Sequence, residues 1–88
     1  MYEDETQIAW TVVPRHLPVV GSDGSDLGTT ESVLGDEAED IFHGIVLRRG
    51  NGKLVEVAAD RVTRMTERHV ITDLTETEAE SLPPYSRG

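Results

Sequence analysis

Three histidines, His16, His43 and His69, are the side chains able to exchange a proton near neutral pH. They lie 27 and 26 residues apart, a spacing that matches no compact metal-ligand motif. There is no cysteine, so thiolate metal sites, disulfides and a thiol nucleophile are excluded. Ser22, Ser25, Ser32, Ser81 and Ser86 are present, yet none sits in a G-x-S-x-G elbow. The carboxylates of Asp36-Glu37-Ala38-Glu39-Asp40 could collect a cation, but they lack the spaced D-x-[DN]-x-[DN]-G pattern that aims oxygens at one centre. Asp23-Gly24-Ser25-Asp26 is too short to close such a site, and both Gly-rich phosphate-binding spacings are absent. The expectation is a chain with no catalytic residue, no cofactor and no metal ligand, and therefore not an enzyme. The alternative is a small-molecule or metal sensor built on loop 36–40 and His43. Alternation with Ile41 and Ile45 makes His43 a partly buried structural histidine in this reading.

The remaining chemistry is charge. The 88 residues carry 17 acidic and 8 basic side chains, a formal charge of −9, which argues against general binding to a phosphate backbone. The charge is uneven. Residues 1–44 hold ten acids and one base, Arg15, whereas residues 45–88 hold seven of each. Arg48, Arg49, Lys53, Arg61, Arg64 and Arg68 outnumber the acids of their own stretch, so residues 48–68 sum to +3. Guanidinium groups brought together would grip carboxylates bidentately, and these six residues are the candidate contacts for a protein partner. Pairing with Glu56, Asp60 or Glu67 is the structural alternative for them. An acidic first half facing a basic stretch of another copy also makes self-association, a homodimer, an expectation.

A chain of this length allows one domain with one small core. Ten Val, four Ile and nine Thr favour pleated structure. Residues 8–13 alternate Ile8, Trp10 and Val12 against Ala9, Thr11 and Val13, and Pro14 and Pro18 bracket a turn. Residues 17–21 form a second short run. Gly21-Ser22-Asp23-Gly24 marks a turn in which Gly21, Asp23, Gly24 and then Gly28 are structural. Residues 27–34 follow, with Leu27 and Val33 on one face. Residues 41–49 are the best strand, and Gly50-Asn51-Gly52 turns it back along residues 53–57. Residues 62–66 and 69–74 make a last pair. Thr75-Glu76-Thr77-Glu78 fits a capping box opening a helix through Leu82, which Pro83-Pro84 stops. The expectation is a mainly β fold of about six short strands with a short C-terminal helix, closed into a small barrel to remove exposed edges.

Gly21-Ser22-Asp23-Gly24, Leu27-Gly28, Thr30 and Val33 together resemble the opening hairpin of PRC-barrel domains. Residues 41–47 are similar to the family's "[ILV]-x-G-[LIV]-x-V" strand, and residues 53–62 to its "x-x-[VI]-P-x-x-x-[VI]" segment, with Ala58 where the family usually has Pro. Residues 69–74, leading into the acidic helix, resemble the close of small stand-alone bacterial members. The resemblance spans residues 17–82. It implies a PRC-type β-barrel used as a protein-contact module that carries no catalytic motif. The domain boundaries expected are an acidic extension over residues 1–7, the PRC-barrel-like domain over 8–82 and a disordered tail over 83–88.

Trp10 is the sole tryptophan, an aromatic suited to core or to an interface anchor, and sharing a face with Ile8 and Val12 favours core. The opening residues lack the basic and apolar regions of a signal peptide. No apolar run reaches the roughly 18 residues that span a bilayer. A cytoplasmic protein without membrane insertion is expected.

Overall fold

The computed structural model describes residues 4–85. Six strands run in chain order: β1 (Pro18–Val20), β2 (Asp26–Asp36), β3 (Ile41–Arg48), β4 (Leu54–Ala58), β5 (Val62–Met65) and β6 (Val70–Thr72). One short helix, α1 (Glu76–Ala79), follows them. The strands form a single sheet in the order β4-β3-β2-β1-β6-β5. Every neighbouring pair is antiparallel except β1 and β6, which run parallel. The expected mainly β fold with a short C-terminal helix is what forms.

The hydrophobic alternation read from the sequence places the core. Val19, Leu27, Ile45, Leu47, Val57, Val70 and Leu74 are at most 1% exposed and pack in one cluster with Ala79 of α1. Val33, Phe42, Val62, Met65 and Leu82 close around them. Thr75 caps α1 through a capping box, its hydroxyl accepting from the Glu78 N–H while the Glu78 carboxylate accepts from the Thr75 N–H. The helix ends at Ala79, sooner than the expected Leu82.

The barrel does not close. β4 and β5 end the strand order and do not pair with each other among the described residues. Their outer edges are covered by the two ends of the chain instead. Glu56 N donates to Pro83 O at 2.9 Å and Tyr85 N to Leu54 O at 2.9 Å, with Pro84 opposite Val55. On the other edge Ile8 N donates to Met65 O at 3.0 Å and Glu67 N to Thr6 O at 3.2 Å, with Gln7 opposite Thr66. Residues 83–85, expected in a disordered tail, are thus paired to β4, because an open edge leaves backbone groups that need partners. Residues 6 and 7, assigned to an extension, are paired in the same way. Residues 1–3 and 86–88 of those two segments lie outside the described residues.

Two expectations from simple alternation give way to local geometry. Residues 8–13 form no strand of the sheet; a 3-10 turn, Trp10–Val12, occupies them. His43 is exposed, because β3 has one extra residue there: Leu34 faces Gly44 while Gly35 faces Phe42. Such a bulge reverses the facing of the strand beyond it, so Phe42 joins the side of Ile45 and His43 leaves it. Gly44 makes this possible with φ +146°, a conformation L side chains rarely adopt, and a Cβ there would run into the Val57 carbonyl oxygen. Gly44→Ala is expected to lower stability by about 1–3 kcal/mol in denaturant unfolding. Gly50→Ala, where a Cβ meets nothing within 4 Å, should change it by less than about 1 kcal/mol.

Candidate functional site

A second bulge sets the most buried charge. Thr30 faces Leu47 and Ser32 faces Val46, leaving Glu31 as the extra residue of β2. Its side chain is turned inward, 5% exposed, between two arginines. Arg48 donates through Nε and Nη2 to Glu31 Oε1 at 3.1 and 2.8 Å. Arg15 donates through Nη2 to Oε2 at 2.8 Å and through Nε to the Glu31 carbonyl at 2.9 Å. The Arg48 hydrogen bonds, then its charge and that of Arg15, outweigh burial and hold the Glu31 carboxyl below the usual carboxylate range. This clamp ties β2 to β3 and to the loop before β1.

Arg49 and Arg61 reach α1 from two sides. Arg49 donates to Glu76 Oε1 at 2.6 Å and to the Leu27 carbonyl at 3.1 Å. Arg61 donates to Asp73 Oδ1 at 2.6 Å and Glu78 Oε2 at 3.0 Å, and these contacts raise its pKa further. The hydrogen bond from Arg61, followed by that from the Thr75 N–H, lowers the pKa of Glu78. The helix therefore links the two arginine groups through its own carboxylates.

Arg64 and Arg68 belong to a third cluster, at the end of β5. Arg64 Nη2 donates to the Glu5 carbonyl at 2.7 Å. The Glu5 carboxylate accepts from the Thr66 hydroxyl at 2.7 Å and from His69 Nδ1 at 2.8 Å. Burial raises the pKa of Glu5, but the hydrogen bonds from His69 and Thr66, with the charges of His69 and Arg68, bring it below the ordinary value. Lys53 lies exposed beside the Gly50–Gly52 turn, its N–H donating to Asn51 Oδ1 at 3.0 Å.

Of the six expected contact residues, Arg49 faces Lys53 across the hairpin turn as expected, its N–H donating to the Lys53 carbonyl at 2.9 Å. The side chains go to different partners: Arg48 to Glu31, Arg49 and Arg61 to α1, and Arg64 to the Glu5 carbonyl, near Arg68. The acids that pair with these arginines are Glu31, Glu76, Asp73 and Glu78. At the first hairpin, Asp23 Oδ1 accepts from the Ser25 hydroxyl at 2.6 Å and its N–H at 3.1 Å, which lowers the Asp23 pKa. Gly24 has φ +82°, and Gly28 lies with φ +139° against the Arg48 carbonyl. Gly21 packs against the carbonyl oxygen of Leu74.

The acidic turn is built around Trp10. Asp36 Oδ1 accepts from the N–H groups of Ala38 and Glu39 at 3.0 and 3.3 Å, and Asp40 Oδ1 accepts from Trp10 Nε1 at 3.1 Å. The half-buried indole lies over Gly35 and packs on Phe42, with ring centroids 5.8 Å apart. Val12 and Ile41 are the large hydrophobic side chains left exposed among the described residues, at 63% and 42%; Val12 ends the Trp10 turn and Ile41 follows Asp40. Among the described residues no group of three or more His, Cys, Asp or Glu could hold a metal ion, and His43 points away to solvent.

The Glu31 clamp carried a faint sequence signal, because Arg15 is the lone base of the first half. The Trp10–Asp40 and Glu5–His69 contacts join residues 30 and 64 apart and had none. No protein-family model matches this chain, and no curated protein matches it. No helix among the described residues is long and apolar enough to cross a membrane.

The carboxylates of Glu5, Asp23, Glu31 and Glu78 are all held below their ordinary values, so the stability they add is full above the unfolded carboxylate pKa of about 4 and is lost as pH falls through the lowered values. Glu31→Gln is expected to lower the Tm at pH 7 and to flatten its fall between about pH 5 and pH 2. Thermal unfolding followed by circular dichroism across that range measures both.

Proposed function

We propose that this chain is a non-enzymatic, PRC-barrel-like module of the bacterial cytoplasm that works by contacting a protein partner. The resemblance across residues 17–82 supports the family. The exposure of Val12, which ends the Trp10 turn, and of Ile41, which follows the Asp40 that accepts from the indole, carries the interaction reading. Exposed apolar side chains around an aromatic anchor, rimmed by charge, are the usual make-up of a contact centre. Here the rim is Glu37, Glu39 and Asp40, all exposed, so the surface suits an apolar segment flanked by basic residues. Lys53 and Arg68 are the members of the arginine–lysine set most open to an outside carboxylate, and they offer a secondary contact.

Affinity capture with the whole chain, compared with Val12→Ser/Ile41→Ser and with Lys53→Glu/Arg68→Glu, tests this assignment. The apolar double variant is expected to lose at least tenfold in recovery of the captured partner. Its unfolding free energy should stay within the small range typical of surface changes, about 0.5 kcal/mol per site. Unchanged recovery with both double variants removes these surfaces as the contact.

A further inference from the structure

The edge of β5 and the segment that covers it divide into two unlike halves. The receiving half belongs to the β5–β6 hairpin. It comprises Arg64, the fully buried Thr66, Arg68 and His69, together with the Met65 carbonyl and the Glu67 N–H. The received half is residues 4–8, attached by an isolated bridge at Gln7 and by the Glu5 carboxylate. Thr6 and Gln7 are exposed, and Ile8 lies outside the core cluster. The segment is thus held as a ligand is held, by backbone pairing and one carboxylate.

The receiving half cannot stand empty without cost. Leaving it open strips the Glu5 carboxylate from the Thr66 hydroxyl and His69 and exposes an unpaired edge. Even when the segment is in place, Arg64 Nε is buried with no hydrogen-bond partner among the described residues. A groove of about 310 Å³ lined by Asp4, Glu5, Glu67 and Arg68 runs along the same junction.

We infer that the β5 edge is a strand-acceptor site for an extended acidic segment, filled within one chain by its own residues 4–8 and able to take residues 4–8 of a second copy in exchange. The occupant is fixed by identity: the second copy's segment offers the same glutamate and the same backbone register. The connection allows it, because Ala9 is exposed and extended at φ −70° and ψ 148°, while Trp10 stays anchored on Gly35 and Asp40. Rotation at Ala9 redirects the segment without disturbing the core. Reciprocal exchange gives a closed two-fold dimer, the low-cost form of segment swapping. The site rests on the edge geometry and not on the family resemblance or the Trp10 surface.

A chain without cysteine makes the test direct. The antiparallel register that sets Gln7 opposite Thr66 sets Thr6 opposite Glu67, and both of these side chains are exposed. Full-length Thr6→Cys and Glu67→Cys chains are unfolded, mixed, refolded together at up to ~mM protein, where exchange competes with the tethered segment, and mildly oxidised. A disulfide-linked heterodimer several-fold above that from Lys53→Cys mixed with Glu67→Cys is expected. Adding Glu5→Lys to the Thr6→Cys chain should return the yield to that background. A yield equal to background, or one indifferent to Glu5→Lys, overturns the proposal and leaves residues 4–8 as a fixed cover of their own edge. In the doubly substituted Thr6→Cys/Glu67→Cys chain the bond is expected to close within one molecule, and failure to close overturns the register on which the exchange depends.

Discussion

A sheet that does not close must satisfy two outer rows of backbone N–H and C=O groups, and this requirement organises the rest of the molecule. β4 and β5 are the exposed rows, and each is met by a segment from one end of the chain. Residues 83–85 reach β4 only because α1 turns the chain back from β6 and seats Ala79 and Leu82 on the core. Residues 4–8 reach β5 only because the Trp10–Val12 turn is pinned on the far side by Gly35, Phe42 and Asp40. Segments that look peripheral in the sequence therefore complete the sheet.

The ion pairs serve the same end. Arg49 and Arg61 hold α1 from the residue after β3 and from the residue before β5, so the helix that carries the C-terminal cover is fixed at two points. Arg48 and Arg15 meet on Glu31, which joins the middle of β2 to β3 and to the chain entering β1. These pairs are partly exposed on the arginine side, and individually such contacts add little. Glu31 differs because its carboxylate is enclosed, so removing the guanidinium groups would take two charge partners from a buried charge.

What was legible in the sequence was local. Alternation located most of the strands, because side-chain facing has a period of two wherever a strand runs undisturbed. Thr75 and Glu78 announced the cap of α1, since a capping box spans only four residues. Bulges break this logic. One extra residue at Glu31 and one at His43 re-aimed both side chains, and nothing in the residue types counts the residues of the partner strand. The proline after Val13 marked an interruption but not the 3-10 turn that replaced the strand. The contacts of Glu5 and Trp10 depend on which strands become edges, a property of the whole topology. For the same reason the +3 of residues 48–68 did not foretell a patch: its arginines are dispersed to acids that lie far away in sequence.

Once those internal pairs are set aside, the charge that remains divides the surface into two regions of opposite preference. In the segments that meet at Trp10 the exposed groups include the carboxylates of Glu37 and Glu39 and the apolar Val12 and Ile41, which favour basic, apolar segments over acidic ones. At the β5 edge Thr66 and His69 engage the Glu5 carboxylate and Arg64 donates to the Glu5 carbonyl, so the preference there is acidic. A single net charge of −9 cannot distinguish these regions, because it adds acids bound inside the fold to acids facing outward. The edge is the more selective of the two, since it demands an extended backbone in register as well as a charge. The Trp10 surface demands only shape and sign, which is why an acidic chain can present both without one competing for the other's ligand.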